Sequence, residues 1–582
     1  DIKIMDENCN LSDRIVEQFG VRTLDKAANE DPHWMDDVKI HESELVDGEY
    51  NWTFVINGEK VFTQGANWIP IDAMLDLHPE RYKYTLRLLA EAGVNMLRVW
   101  GEGLYETDDF YRFCDSLGIM VWQDFWIGSY SPAQSQEKSW EAVISNVQRT
   151  RNHPSLVLYC GGNEFDASRA DRMAQINKLR ELCQKYDDTR EFHKASPHGG
   201  DEHGGMGIIP KEQRRHRYWR YISEGGYYQV WPPRSDMLKF MKEEHLFPIY
   251  GNEDRLGYRS LKLIRNPSKN EKLYGVAHNL DELIHIEALR GVIGWQAQLE
   301  NTKLEKYKVS GCLFWGSNDI WPLASDHMIF YYGTAKPNYY AFKKAGLPLQ
   351  VTASQQYTVL KPGEPYDVEV CLINDYLESK KNLKVKAAIY LGEKATLVYK
   401  KELNGSIDAN RSQCIGNLDW IIPPNPKEHN FLLRLDLHNT DDKFITRNEY
   451  TCMIGDENRN SISGGFFGEY HNWIKNEIIP IVKDFPNKMR MREEKYFKIM
   501  YVNNTGNIIM GLETLITDLP EGVRFYLDDN YIHLIPGETA TLNASIELSE
   551  RAQVTGPVEL TLQTDGWNVK RGALKLKVKL EK

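Results

Sequence analysis

From about residue 55 to residue 345 short apolar runs alternate with amphipathic helical stretches, and this alternation constrains the chain more than any other feature. The apolar runs include "VNMLRVWG" (94–101), "IMVWQDF" (119–125), "SLVLYCGGNE" (155–164), "YWRYISEGG" (218–226) and "GCLFWGSND" (311–319). Between them Tyr82, Leu86 and Leu89 share one helical face, Thr107 caps "TDDFYRFCDSLG", and Trp140, Val143, Ile144 and Val147 mark another face. Further helices are expected over 167–186 and 280–308. Apolar strands joined by helical crossovers predict a parallel sheet buried on both faces. Seven such strands are visible, counting the hairpin-led strand that ends at Asn67-Trp68 and "FHKASPHGG" (192–200), and a (β/α)8 barrel is the architecture that accommodates them. The sixth strand has one candidate, "GMGII" (205–209).

After Pro348 the period changes to two. "YDVEVCLIND", "LKVKAAIYL", "KATLVYKKEL" and "NFLLRLDLH" predict an antiparallel sandwich ending near 455. A polar linker follows, then a helical reading of "GEYHNWIKNEIIPIVKDF". A second sandwich with "YFKIMYVNN", "GVRFYLDD", "TATLNASIEL" and "VELTLQT" as strands closes the chain. The division is therefore 1–50 (the end of an immunoglobulin-like domain), 51–347 (TIM-barrel catalytic domain), 348–455 (immunoglobulin-like β-sandwich) and 456–582 (helical linker piece plus C-terminal immunoglobulin-like β-sandwich).

A net charge of −12 argues against a nucleic-acid partner, which needs a concentrated basic field. The lone basic run "KEQRRHRYWR" (211–220) reads as a solvated face. The eight cysteines are scattered without metal spacing and most read as buried small hydrophobes, so no disulfide framework is expected. No apolar run reaches 18 residues, so no membrane-spanning helix is expected. A secreted or periplasmic location is favoured over a cytoplasmic one.

Residues that end barrel strands point into the mouth of the barrel. Here they are Asn67 and Trp68, Arg98 and Trp100, Asp124 and Trp126, Asn163 and Glu164, His198, Glu224, and Trp315 with Asn318 and Asp319. Two glutamates, an arginine and a ring of tryptophans suit glycoside hydrolysis, where two carboxyl groups flank the bond and flat rings hold the sugar. Asp124 and Asp319 either contact sugar hydroxyls or brace Arg98. Trp68, Trp100, Trp126 and Trp231 are either sugar platforms or barrel packing. "SPHGGDEHGG" (196–205) carries His198, Asp201 and His203 but fits no standard ligand pattern, and "YGNEDRLGY" (250–258) reads as loop. Neither metal nor cofactor is expected.

"GANWIPID", "GVNMLRVWGEGLYETDDFYRFCDSLGIMVWQDF", "HPSLVLYCGGNEF", "SPHGG", "ISEGGY" and "LFWGSNDIWPLAS" together resemble glycoside hydrolase family 2. The branch resembled is that of β-mannosidases and exo-β-glucosaminidases, and "LDDNYIHLIPGETATLNA" is similar to its final immunoglobulin-like domain. The resemblance implies a retaining exo-β-glycosidase with Glu224 as nucleophile and Glu164 as general acid/base. It implies that Asn163 bonds the sugar 2-hydroxyl, that Arg98 lies beside the nucleophile and holds it ionised, and that Trp315 forms the floor. The Asn163-Glu164 pair leans towards the mannosidase pattern, with exo-β-glucosaminidase as the alternative. Members of that branch usually begin with a jelly roll and a whole immunoglobulin-like domain, of which this chain carries only the end. The expected partners are thus an oligosaccharide or glycoside substrate, no nucleic acid or membrane, and the missing N-terminal domains or a second chain. A catalytically weak carbohydrate-binding protein is the reading from another class.

Overall fold

The computed structural model describes residues 2–16, 19–30, 51–127, 137–205, 207–208, 219–248, 267–355, 358–458 and 464–581. Eight parallel strands form one curled sheet, the (β/α)8 barrel. They are β1 (Thr63–Trp68), β2 (Met96–Val99), β3 (Met120–Asp124), β4 (Leu156–Cys160), β5 (Glu191–His193), β6 (Asp201–His203), β7 (Tyr221–Gly225) and β8 (Gly311–Phe314). Their spatial order is 5-4-3-2-1-8-7-6. The helices α1 (Pro79–Glu91), α2 (Asp108–Leu117), α3 (Glu137–Thr150), α4 (Ala170–Tyr186), α5 (Leu280–Leu304) and α6 (Pro337–Ala345) follow successive parts of this order. The caps agree with the sequence: the Thr107 side chain accepts from the Phe110 N–H, and Gly118 ends α2 at φ 71°.

The hairpin that leads into the first barrel strand turns at Asn57-Gly58 and joins Thr53–Ile56 to Glu59–Val61. Both turn residues have positive φ, 52° and 84°, which a type I′ turn requires and Asn-Gly tolerates. The segment before it plugs the lower end of the barrel. Trp52 stacks on Trp122 at 5.5 Å and on Tyr221 at 5.0 Å, and its indole N–H donates to the Gly199 carbonyl.

Strand six is not "GMGII". It is Asp201–His203, reached from β5 without an intervening helix, and it pairs in parallel with β7. Periodicity could not find it because three residues make less than two alternations, and the reversal at Ser196–Gly200 takes the place of a crossover helix. Met206, residues 209–218 and residues 249–266 lie outside the described residues, so most of the basic run and all of "YGNEDRLGY" do too.

Beyond the barrel, a three-stranded and a five-stranded sheet share the core around Val370, Leu418, Leu433 and Leu435. A four-stranded and a five-stranded sheet between residues 481 and 581 share a second core around Ile499, Leu512, Ile546 and Leu562. The helical reading of 468–485 is corrected: α7 covers Phe466–Asn472, and Ile481–Lys483 is a strand. Pro480, which has no N–H to give a helix, separates the two. Cys371 and Cys414 are also not free thiols. They are opposite each other on neighbouring antiparallel strands and form a disulfide. Cys114, Cys160, Cys183, Cys312 and Cys452 are buried thiols as expected.

Candidate active site

The side chains of a strand alternate between faces, so the register of the barrel decides which predicted residues meet at its mouth. Asn67 is the register partner of Arg98, and both face inward. The Arg98 guanidinium is completely buried and donates to Asn67 Oδ1 (2.9 Å), Asp124 Oδ2 (2.7 Å) and Asn163 Oδ1 (2.8 Å). Burial works against its charge, but Asp124 and Glu224 outweigh that and raise its pKa further. Asp124 also accepts from the Trp122 indole and the Gly101 N–H, so of its two proposed roles it takes that of bracing Arg98. Asn67, Arg98 and Asp124 are thus a closed layer beneath the mouth. They hold Asn163 rather than presenting their own polar atoms to a ligand.

The same alternation removes Trp68 from the mouth. With Asn67 inward, Trp68 faces the helices, where it packs on Phe110 and Tyr82 and donates to Glu106 Oε1 at 2.9 Å. It is barrel packing, and Trp231 is likewise buried, beside Met237 and Leu246. Trp100 is in phase with Arg98 and stands edge-on to Trp315 at 5.2 Å. Trp315 in turn meets His327, which Asp319 holds at 2.9 Å, so Asp319 braces this ring and not Arg98. Trp126 is half exposed and stacks flat on Tyr105 at 4.1 Å. His198 lies against His193 at 5.8 Å, in the reversal before β6, on the side where Gly199 meets Trp52.

Glu164 and Glu224 do come together. Glu224, on β7, is buried, whereas half of the Glu164 side chain is exposed. Glu164 has φ 47°, a left-handed conformation that costs a non-glycine residue on the order of 1 kcal/mol. Its N–H donates to the Ser196 carbonyl at 2.8 Å and helps to hold it there. Gly162 just before it has φ 145°, and a Cβ at that position would lie 1.9 Å from the Ile127 carbonyl oxygen. The glycines of "CGGNE" are what allow β4 to turn Asn163 and Glu164 over the mouth.

Between the glutamates stands His203, which the sequence reading left in a loop. It is the register partner of Glu224 on β6. Its Nδ1 is 2.9 Å from Glu164 Oε1 and 2.8 Å from Glu224 Oε2. The imidazole nitrogen and one oxygen of each carboxylate all lie within 4.8 Å of one another. Burial disfavours its protonated form, but hydrogen bonding to Glu164 and Glu224 prevails and pushes the imidazole up to about 9. His203 Nε2 meets Ser196 Oγ at 3.2 Å, and Ser196 donates to Asp201 Oδ2 at 2.7 Å. Burial lifts the Asp201 carboxyl to about 6. The Tyr227 hydroxyl donates to Glu224 Oε2 at 3.4 Å. Arg98 senses the charge of Glu224, but the cation in contact with Glu224 is His203. The sequence signal for Ser196, Asp201 and His203 was the density of His and Asp in "SPHGGDEHGG".

Two carboxylates at strand ends of a (β/α)8 barrel, with aromatic rings beside them, define a barrel of the glycoside hydrolase class. Residues 51–243 match the family described as glycosyl hydrolases family 2, TIM barrel domain. A β-mannosidase B of Aspergillus terreus is 26% identical over 408 residues, covering 61% of this chain and 45% of that protein. A β-mannosidase of Capra hircus is 28% identical over 365 residues, covering 53% and 41%. The match thus spans less than half the length of these curated relatives. The solved β-D-mannosidase of Dictyoglomus thermophilum superposes with a TM-score of 0.71 at 24% identity, over 97% of this chain and 66% of that one. The exo-chitosanase CsxA of Amycolatopsis orientalis gives 0.73 at 17% identity, over 97% and 68%. Both similarities extend the shared fold through the sandwiches.

Proposed function

We propose that this protein is a retaining exo-β-glycosidase acting on a terminal β-mannoside, with Glu224 as nucleophile and Glu164 as general acid/base. The observation that carries the reading is the approach of the two carboxylates to within 4.8 Å, oxygen to oxygen, around one imidazole. Retaining enzymes hold their carboxyl groups about 5–5.5 Å apart, and inverting ones leave about 6.5–9.5 Å for a water. The close pair fits the first class. The choice of sugar rests on the β-mannosidase relatives and on Asn163-Glu164.

In this reading Glu224, fixed by His203 and Tyr227, attacks the anomeric carbon while the glycosidic oxygen leaves with the proton of Glu164. The bond formed is a glycosyl ester on Glu224, and the bond broken is that to the aglycone. Glu164, now a carboxylate, takes a proton from water as the water displaces Glu224 and restores the β configuration. The exposure of Glu164 suits this part, because its proton goes to the departing group and returns from solvent. His203, 2.8 Å from Glu224 Oε2, supplies positive charge beside the carboxylate that must stay ionised to attack.

Incubation with 2-deoxy-2-fluoro-β-mannosyl fluoride, which forms the glycosyl-enzyme but releases it slowly, tests the proposal. Peptide mass spectrometry should find the label on Glu224. Label on another residue, or an α-configured first product by NMR, would refute it. A faster reaction of the corresponding β-glucosaminide would move the sugar assignment and leave the mechanism standing.

A further inference from the structure

We propose a second site, a structural transition-metal site formed by His278, Glu282 and His471 where the barrel meets the linker helix. His278 and Glu282 lie at the start of α5, and His471 is on α7. One ligand atom from each lies within 4.8 Å of the others. His278 Nδ1 is 2.9 Å from Glu282 Oε2, and His471 Nδ1 is 3.1 Å from Glu282 Oε1.

Glu282 is held in place at the start of α5. Its N–H donates to Asn279 Oδ1, while its own oxygens accept from the His278 N–H (2.8 Å) and Asn279 Nδ2 (2.8 Å). This capping box uses about two of the roughly four lone-pair sites of a carboxylate. The remaining sites face the two imidazoles. His471 Nδ1 is inaccessible to solvent and makes no hydrogen bond among the described residues, although it sits 3.1 Å from Oε1. A buried ring nitrogen beside a carboxylate oxygen and without a hydrogen bond is free to offer its lone pair to a cation.

Two imidazoles and a carboxylate are the donor set of a zinc-type ion, whose bonds of about 2.0–2.2 Å put neighbouring donors about 3.4 Å apart. The observed spacings need only a small outward movement of the rings. The His278 side chain is two-thirds exposed, which leaves the fourth position to water. Imidazole-rich sites of this kind also take Co2+, Ni2+ and Cu2+. The metal would clip α7 to α5 at the edge of a junction core. That core contains Ile286 and Leu289 of α5, Phe466, Phe467 and Tyr470 of α7, Leu432 of the first sandwich and Trp567 of the second. The ion would thus fasten the barrel to both sandwiches, and its place is remote in sequence from the two glutamates of the mouth.

Co2+ is the probe, because its visible absorption bands report tetrahedral coordination directly. The wild-type chain, freed of metal by chelation, should bind Co2+ with such bands and melt at a higher temperature in its presence. The double variant H278N/H471Q keeps the Glu282 cap and should fold with the metal-free melting temperature of the wild type. It should bind one ion fewer and lose both the bands and the thermal shift. Unchanged stoichiometry and bands in the double variant, or no Co2+ binding by the wild type, would overturn the proposal. The same holds if the bands disappear in H203Q and persist in H278N/H471Q, since the ion would then lie between the mouth carboxylates.

Discussion

The charge on His203 gives the mouth a titration that can be measured as stability. Its imidazole is raised from 6.5 to about 9, the hydrogen bonds to Glu164 and Glu224 overcoming the cost of burial. A group whose pKa is higher in the folded state binds its proton more tightly there. Its contribution is therefore complete below pH 6.5, declines as the pH rises, and is gone above about 9. At ~1.36 kcal/mol per pKa unit the contribution is ~3 kcal/mol. The residue is almost fully buried, so solvent screening removes little of this. H203Q keeps a polar side chain but cannot titrate. Urea unfolding of wild type and H203Q, followed by tryptophan fluorescence at pH 6.5, 7.5, 8.5 and 9.5, measures the effect, because groups that do not interact with His203 cancel in the difference. The wild type should lead by ~3 kcal/mol more at pH 6.5 than at pH 9.5. Parallel stability curves over that range would refute the charged imidazole bridge.

The two glutamates should separate kinetically. E224Q should abolish hydrolysis of every substrate, whereas E164A should retain glycosylation by a nitrophenyl β-mannoside and recover turnover with azide, giving a β-glycosyl azide. Azide rescue of E224Q instead of E164A would reverse the roles. R98M should lower barrel stability by about 3–5 kcal/mol, because Asp124 is left charged and unpaired in the interior; chemical denaturation at pH 7 measures it, and a loss under 1 kcal/mol would contradict the network. G162A should lower kcat by about 100-fold or more with KM little changed, since moving Glu164 impairs general acid/base catalysis. A wild-type rate in G162A would show that the Gly162 conformation does not position Glu164.

Local pattern carried a good deal of this protein. The apolar strands of the barrel, the period-two sandwiches, the Asn57-Gly58 turn and the Thr107 cap all depend on interactions within a few residues of each other, and they were readable as such. Glu164 and Glu224 could be singled out because both end apolar runs beside glycines, which is a property of their own segments. Even the outward orientation of Trp68 is implied by strand alternation once Asn67 is placed inward. Other features come from contacts between distant segments. The Cys371–Cys414 disulfide needs two strands side by side, and the His278–Glu282–His471 cluster needs α7 to return to α5. His203 depends on a three-residue strand too short to show a period, brought by the ladder with β7 into register with Glu224. Which segments become strands and helices, and which carboxylates end them, is settled by near neighbours along the chain. The tertiary structure alone decided that an imidazole stands between the carboxylates and that Arg98 lies sealed beneath them, because both follow from inter-strand register, a relation between segments that no single stretch of sequence contains.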